Sequence, residues 1–126
     1  MGKPHKGKLA PFACFNCRRS FKRKLEPGVL ERPCPSCGGA AHWLMEKFKP
    51  PKSDDIKQWQ KVQFLYEHGF WFQSVPNTSY PETLQEAKEF VKQHAAWAWT
   101  REGDQVIQHF PHRFVVGIAS RLGPSS

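Results

Sequence analysis

Four cysteines carry the strongest chemical signal in the chain. They stand as two pairs, Cys14-x-x-Cys17 and Cys34-x-x-Cys37, with sixteen residues between them. A thiolate is a soft, anionic ligand, and two thiolates three positions apart reach one metal ion from a single tight turn. A second pair at this distance completes a tetrahedron. Zn²⁺ favours that geometry and that ligand type, so the four cysteines are expected to hold one structural zinc ion as a filled, chemically inert shell. Three rival uses share these residues. A mononuclear iron site needs the same two pairs. Two disulfides would need an oxidising compartment, and no secretion signal stands at the N-terminus. Redox use of one pair would leave the other without a role.

The residues around the pairs agree with a metal loop. Gly38 and Gly39 follow Cys37, where such a turn needs φ > 0 and backbone N–H groups aimed at sulfur. Pro35 stiffens the second pair. Phe12, Phe21 and Trp43 are available to shield the site from water. A segment this short buries too little apolar surface to fold alone, so metal binding would supply most of its folding free energy.

The stretches Cys14-Phe15-Asn16-Cys17-Arg18-Arg19-Ser20-Phe21 and Cys34-Pro35-Ser36-Cys37-Gly38-Gly39 resemble the zinc ribbon group, over residues 12 to 48. The resemblance implies two metal knuckles mounted on β-hairpins in a small antiparallel sheet. It also implies company with ribosomal proteins, RNA polymerase subunits, transcription factors and nucleic-acid-handling enzymes. Arg18 departs from the pattern, standing where ribbons often place Gly.

The charge is lopsided. Residues 1–52 hold twelve Lys/Arg against three acids, a balance of +9, and residues 53–126 hold seven against eight, a balance of −1. Four thiolates on one Zn²⁺ carry −2, which leaves the loaded front segment at about +7. A cationic surface attracts polyanions, and nucleic acid is the commonest. The run Arg18-Arg19-Ser20-Phe21-Lys22-Arg23-Lys24 follows the first pair directly. As a strand it would place Lys22 and Lys24 on one face and Phe21 and Arg23 on the other. Arg18, Arg19, Lys22, Arg23 and Lys24 are the candidate phosphate contacts. Phe15, between two ligands, is a candidate base-stacking residue with an equal claim to packing on the rest of the chain. The bland alternative makes these cations a solvated surface that offsets the thiolates. RNA is favoured over DNA, because no helix with base-reading side chains is visible in the cysteine segment.

The elements that must position these residues follow from periodicity and punctuation. Residues 1–11 read as a flexible basic arm, 12–48 as the ribbon, 49–52 (Lys-Pro-Pro-Lys) as an extended linker, and 53–126 as an α/β module. In that module Ser53 or Asp54 caps a helix with Ile56, Trp59, Val62, Leu65 and Tyr66 on its apolar face, closed by Gly69. Phe70–Val75 reads as a buried strand. A second helix starts near Ser79, with Ser79 and Glu82 as a capping box and a stripe of Leu84, Ala87, Val91, Ala95 and Ala98. Trp97 and Trp99 lie off that stripe. Gly103 closes the element, short strands are expected at 106–108 and 113–118, and 122–126 is a tail. The fold class is α+β: a small N-terminal β zinc ribbon, then a C-terminal module with two helices and short strands.

Several features carry no function. The six histidines are scattered, and His42, close to the second pair, finds the tetrahedron already full. No phosphate loop, metalloprotease motif or nucleophile with a partner is visible, so no enzyme is expected. No apolar run reaches the roughly 18 residues of a membrane span, and no membrane partner is expected. A reducing compartment such as the cytoplasm suits the free thiols. The reading is a non-enzymatic protein that binds nucleic acid or a nucleoprotein assembly. The alternative is a protein–protein adaptor working through the aromatic C-terminal module.

Overall fold

The computed structural model describes residues 9–26, 28–102 and 105–108. The arm residues 1–8, Gly103, the strand expected at 113–118 and the tail lie outside the described residues; the second helix ends at Gln93 and a strand occupies Thr100–Glu102, so the helix does not run on to the Gly103 expected to close it. Within the described residues the chain is α+β, with four strands first, two helices after them and a two-stranded hairpin last.

Strands β1 (Leu9–Cys14) and β2 (Arg19–Lys24) form an antiparallel hairpin in register from Leu9 opposite Lys24 to Cys14 opposite Arg19. The first cysteine pair is the loop of that hairpin. A second hairpin, β3 (Glu31–Pro33) with β4 (Ala40–Trp43), carries the second pair in the same way. β1 also pairs with β4, through Phe12 opposite Trp43 and Ala13 opposite His42, giving one sheet in the order β2-β1-β4-β3. β1 is therefore central and apolar, whereas β2 is an edge strand, which its charge suits. β1 begins at Leu9, so residues 9–11 of the expected arm belong to the sheet.

Helix α1 (Ile56–Glu67) is capped by Asp55, whose carboxylate accepts the Gln58 N–H at 3.3 Å, one residue later than expected. Its end is a Schellman motif: Phe70 N donates to Leu65 O and Gly69 N to Tyr66 O, with Gly69 at φ +91°. Trp59, Val62 and Leu65 are buried on its inner face, while Ile56 is exposed. Helix α2 (Leu84–Gln93) starts later than Ser79. Thr83 accepts the Glu86 N–H at 3.0 Å and Glu86 accepts from Glu82 N at 3.1 Å. The Tyr80 hydroxyl, donating to Gln73 O at 2.6 Å, and its ring, stacked on Phe72, hold the approach out of the helix. The buried face of α2 is Ala87 and Phe90, with Leu84 and Val91 half-buried; Ala95 and Ala98 fall past the helix end, in and after a short 3-10 turn at Ala95–Trp97.

In the segment 70–75 all residues but the exposed Ser74 are buried, as the composition demands, but the segment is not a strand. Phe72 sits at φ +67°, which breaks the extended path. The side chain of buried Gln73 then replaces the missing ladder. It accepts from Trp71 N at 2.6 Å and donates to Gly69 O at 3.1 Å and Trp97 O at 3.2 Å. The Trp71 and Phe72 carbonyls accept from Met45 N and Lys47 N. Each backbone group named here thus finds a partner without regular structure. After Trp99, β5 (Thr100–Glu102) pairs with β6 (Gln105–Ile107) as a two-stranded hairpin.

One hydrophobic cluster joins residues on both sides of the 49–52 linker. Ala13, Leu44 and Phe48 pack with Trp59, Val62 and Leu65 of α1, with Phe70, Trp71 and Phe72, with Ala87 and Phe90 of α2, and with Trp99. Trp99 lies against Trp43 and Trp71, and half-buried Trp97 packs on the same cluster. A second, smaller cluster of Ala10, Phe12, Cys14, Cys34 and Ala41, with Phe21 and Trp43 against it, backs the cysteines.

Candidate metal centre

The two hairpin loops meet tip to tip. Cys14 Sγ lies 3.6 Å from Cys37 Sγ, Cys17 Sγ lies 3.5 Å from Cys34 Sγ, and all four sulfurs fall within 4.8 Å of one another. A tetrahedron with Zn–S bonds of ~2.3 Å has edges of ~3.8 Å. The spacing therefore fits four sulfurs around one ion. It is far from the ~2.05 Å of a disulfide, and all four cysteines are free. The ligands differ in exposure: Cys14 and Cys34 are buried, Cys17 is half-buried and Cys37 is exposed.

The loops aim N–H groups at the sulfurs, as anionic ligands require. Ser36 N donates to Cys34 Sγ at 3.4 Å, Gly39 N to Cys37 Sγ at 3.3 Å, and Asn16 Nδ2 to Cys37 Sγ at 3.5 Å. Gly38 takes φ +78° to allow this. The Asn16 amide above all, with Gly39 N–H, pulls the Cys37 thiol down to about 6. The N–H of Cys37, then that of Ser36, lowers Cys34. Burial pushes Cys14 up, and burial with the neighbouring Cys34 sulfur pushes Cys17 up to about 12. The second loop thus supplies the readier thiolates, and a bound cation would ionise the rest. Asn16 was not singled out from sequence. Its place between two ligands, with an amide that can donate to sulfur, was the available signal.

Arg18 adopts φ +58°, the left-handed conformation that glycine takes more easily. Its Nε donates to Ser53 O at 2.7 Å, which ties the first loop to the chain just before α1. Arg19 is exposed on β2 opposite Cys14, and Lys22, Arg23 and Lys24 are exposed beyond it. Arg23 lies over the Phe21 ring at 4.7 Å, and Phe21 stacks on Phe12 at 5.8 Å, so Phe21 and Arg23 share a face as the alternation required. Phe15 takes the second of its two expected roles: it turns inward, packing on His42 at 5.5 Å, Tyr66 at 5.6 Å and Trp59 at 6.3 Å. It forms part of the contact between the cysteine loop and α1.

A polar network that sequence reasoning did not identify lies beside Phe15. Glu31 accepts from Arg101 Nη1 at 3.0 Å and lies 3.4 Å from His42 Nδ1, which is 3.3 Å from the Tyr66 hydroxyl. It links β3, β4, α1 and β5, and its members are too far apart in sequence to be read as a set. Burial first of all lowers the His42 pKa from its ordinary value. No helix among the described residues is long and apolar enough to cross a membrane. No protein-family model matches the chain, and comparisons with curated proteins and with solved structures return no match.

Proposed function

We propose that Cys14, Cys17, Cys34 and Cys37 hold one structural Zn²⁺ in a zinc-ribbon-like scaffold, and that the protein binds nucleic acid, RNA in preference to DNA, without catalysing a reaction. One observation carries this reading. The edge strand β2 carries exposed Arg19, Lys22, Arg23 and Lys24 on its two faces, running away from the metal centre. Exposed cations along a strand edge suit phosphate contacts, which give affinity without sequence choice. The zinc would act through shape alone, by joining the two loops that set β1 against β4 and leave β2 at the edge. Arg18 contributes charge from a fixed position, and Phe15 contributes only to packing. Of the aromatic side chains an adaptor would use, Trp71, Phe72, Phe90 and Trp99 are buried in the core and Trp97 is half-buried against it, so charge is the better-supported source of affinity.

The test measures binding of single-stranded RNA and DNA to the zinc-loaded chain over a range of salt. Replacing Arg19, Lys22, Arg23 and Lys24 together with Gln should weaken binding and flatten the log–log salt slope by ~3, at ~0.7 for each lost single-strand contact. Lys88→Gln on α2, exposed in the acidic half, should leave both unchanged. Absence of binding at low salt, or an unaltered slope in the fourfold variant, refutes the reading. One zinc per purified chain is the expected metal content; iron would refute the metal assignment and leave the binding assay independent of it.

A further inference from the structure

A cleft of about 370 Å³ opens between the first cysteine loop, the second, and the chain entering α1. It lies at the small end of the roughly 300–1,000 Å³ range of ligand pockets. Its walls have three chemistries. Arg18 and Arg19 supply positive charge, Ser36 and Ser53 are hydroxyl-bearing, and Pro50 and Pro51 with Trp59 are apolar. The cleft is built from segments distant in sequence, and Arg18 bridges them: its Nε–H bonds to the Ser53 carbonyl at 2.7 Å. That bond fixes the plane of the guanidinium while its two NH₂ groups keep their donors, so less entropy is lost when an anion binds. Trp59 Nε1 donates to Lys52 O at 3.0 Å, which fastens the proline wall to the helix in turn.

We propose that this cleft seats one nucleotide of a single-stranded nucleic acid, with its phosphate on Arg18 and Arg19, its sugar near Ser36 and Ser53, and its base against the Pro50-Pro51 wall. The inference rests on the nucleic-acid reading above and locates a site within it. Phosphate contacts along β2 are interchangeable and can slide. A cleft with a fixed guanidinium, hydroxyl-bearing residues and an apolar side suits a nucleoside phosphate as a unit. It also gives Arg18 a use that explains an arginine in a backbone conformation glycine would adopt more easily.

The experiment uses the full zinc-loaded chain, ¹⁵N-labelled, titrated separately with uridine 5′-monophosphate, uridine, inorganic phosphate and a single-stranded oligoribonucleotide. The monophosphate should give saturable shifts at the Arg18, Arg19, Ser36 and Ser53 amides and the Trp59 indole. Uridine or phosphate alone should bind at least about fivefold more weakly, since each loses one wall of the site. Arg19→Gln and Ser53→Leu should each weaken the monophosphate at least about fivefold, with zinc content retained. Ser53 lies outside both cysteine loops and is not the cap of α1, so Ser53→Leu fills the cleft without touching either. Absence of saturable shifts, inorganic phosphate binding as tightly as the monophosphate, or insensitivity to both variants would overturn the proposal. Oligonucleotide binding that ignores Ser53→Leu would remove the cleft and leave the charge reading standing. Failure of the oligonucleotide to bind at low salt would remove both.

Discussion

Gly69→Ala separates two costs that are usually confounded. Gly69 sits at φ +91° at the end of α1, so any L side chain there is strained. A Cβ would also lie 2.5 Å from Trp99 O, 2.9 Å from Ala98 Cβ and 3.0 Å from Trp99 N. Two of these atoms are backbone, and Trp99 N also donates to Gly69 O at 2.8 Å. The substitution must therefore push the 98–99 segment away and break that bond. Gly28 supplies the control: its φ is +78°, and a Cβ there meets nothing within 4 Å. Gly28→Ala should cost about 1 kcal/mol or less, the left-handed penalty reduced by the lower entropy of the unfolded chain. Gly69→Ala adds the lost hydrogen bond, about 1 kcal/mol, and the disturbed packing of Trp99 against Trp43 and Trp71, for a total of roughly 3–5 kcal/mol. That is a large fraction of the roughly 5–15 kcal/mol a domain possesses. Urea unfolding of the zinc-loaded proteins at equal m-value reads the difference. Because Trp99 leads directly into β5, the Arg101–Glu31 bond should loosen as well, visible as altered Glu31 and His42 resonances. Gly69→Ala no worse than Gly28→Ala would refute the close approach of the Trp99 backbone to α1.

Chelation of the metal should unfold the sheet outright. Structural zinc contributes apparent free energies of roughly 10–16 kcal/mol, comparable to or above a domain's whole stability; because Ala13, Leu44 and Phe48 share the core with α1, the helices should lose cooperativity too. An apo protein that keeps dispersed amide signals over residues 9–43 would contradict this. Arg18→Ala should cost about 1 kcal/mol by removing the bond to Ser53 while retaining the left-handed backbone, and Arg18→Gly should come closer to neutral by relieving it; urea midpoints in which Gly is no better than Ala would refute the assigned conformation. His42 should titrate below its ordinary 6.5. The unfolded state then binds more protons in the window between its folded pKa and 6.5, so stability falls as pH drops through that window and the penalty is complete below it. Stability that rises on acidification there, and loses the effect equally in His42→Gln, would reverse the sign and refute burial as the dominant cause.

Legibility from sequence tracked how local each constraint is. The cysteine pairs were readable because each ligand pair is set by four consecutive residues, and only the meeting of two loops had to be supplied. The end of α1 was readable for the same reason, since Gly69 fits a left-handed position no neighbouring residue fits as well. The start of α2 was harder. Ser79 with Glu82 and Thr83 with Glu86 are both capping boxes on paper, and the choice fell to Tyr80, whose hydroxyl reaches Gln73 and whose ring stacks on Phe72. Phe70–Val75 has the composition of a buried strand, yet Phe72 is left-handed and Gln73 does the hydrogen bonding with its side chain. Burial was encoded in composition; conformation was decided by partners from Met45 to Trp97.

The same reasoning explains what became of Phe15 and Arg18. Phe15 lies between two ligands and Arg18 just after them; from sequence Arg18 is a candidate phosphate contact, while Phe15 has equal claims to stacking on a base and to packing on the rest of the chain. Whether they meet solvent depends on whether the rest of the chain docks there, and the Pro50-Pro51 linker specifies an extended path without specifying a destination. Docking against α1 takes Phe15 into the contact with His42, Trp59 and Tyr66 and draws Arg18 to Ser53. It also creates the cleft, which belongs to neither segment alone. Docking thus decides between the two roles open to Phe15 in favour of packing, and turns a cation expected to be free into a fixed wall. The cations whose environment depends least on docking are those on the outer part of β2, where the edge of the sheet sets exposure, and those are the positions whose replacement should change the salt dependence most directly.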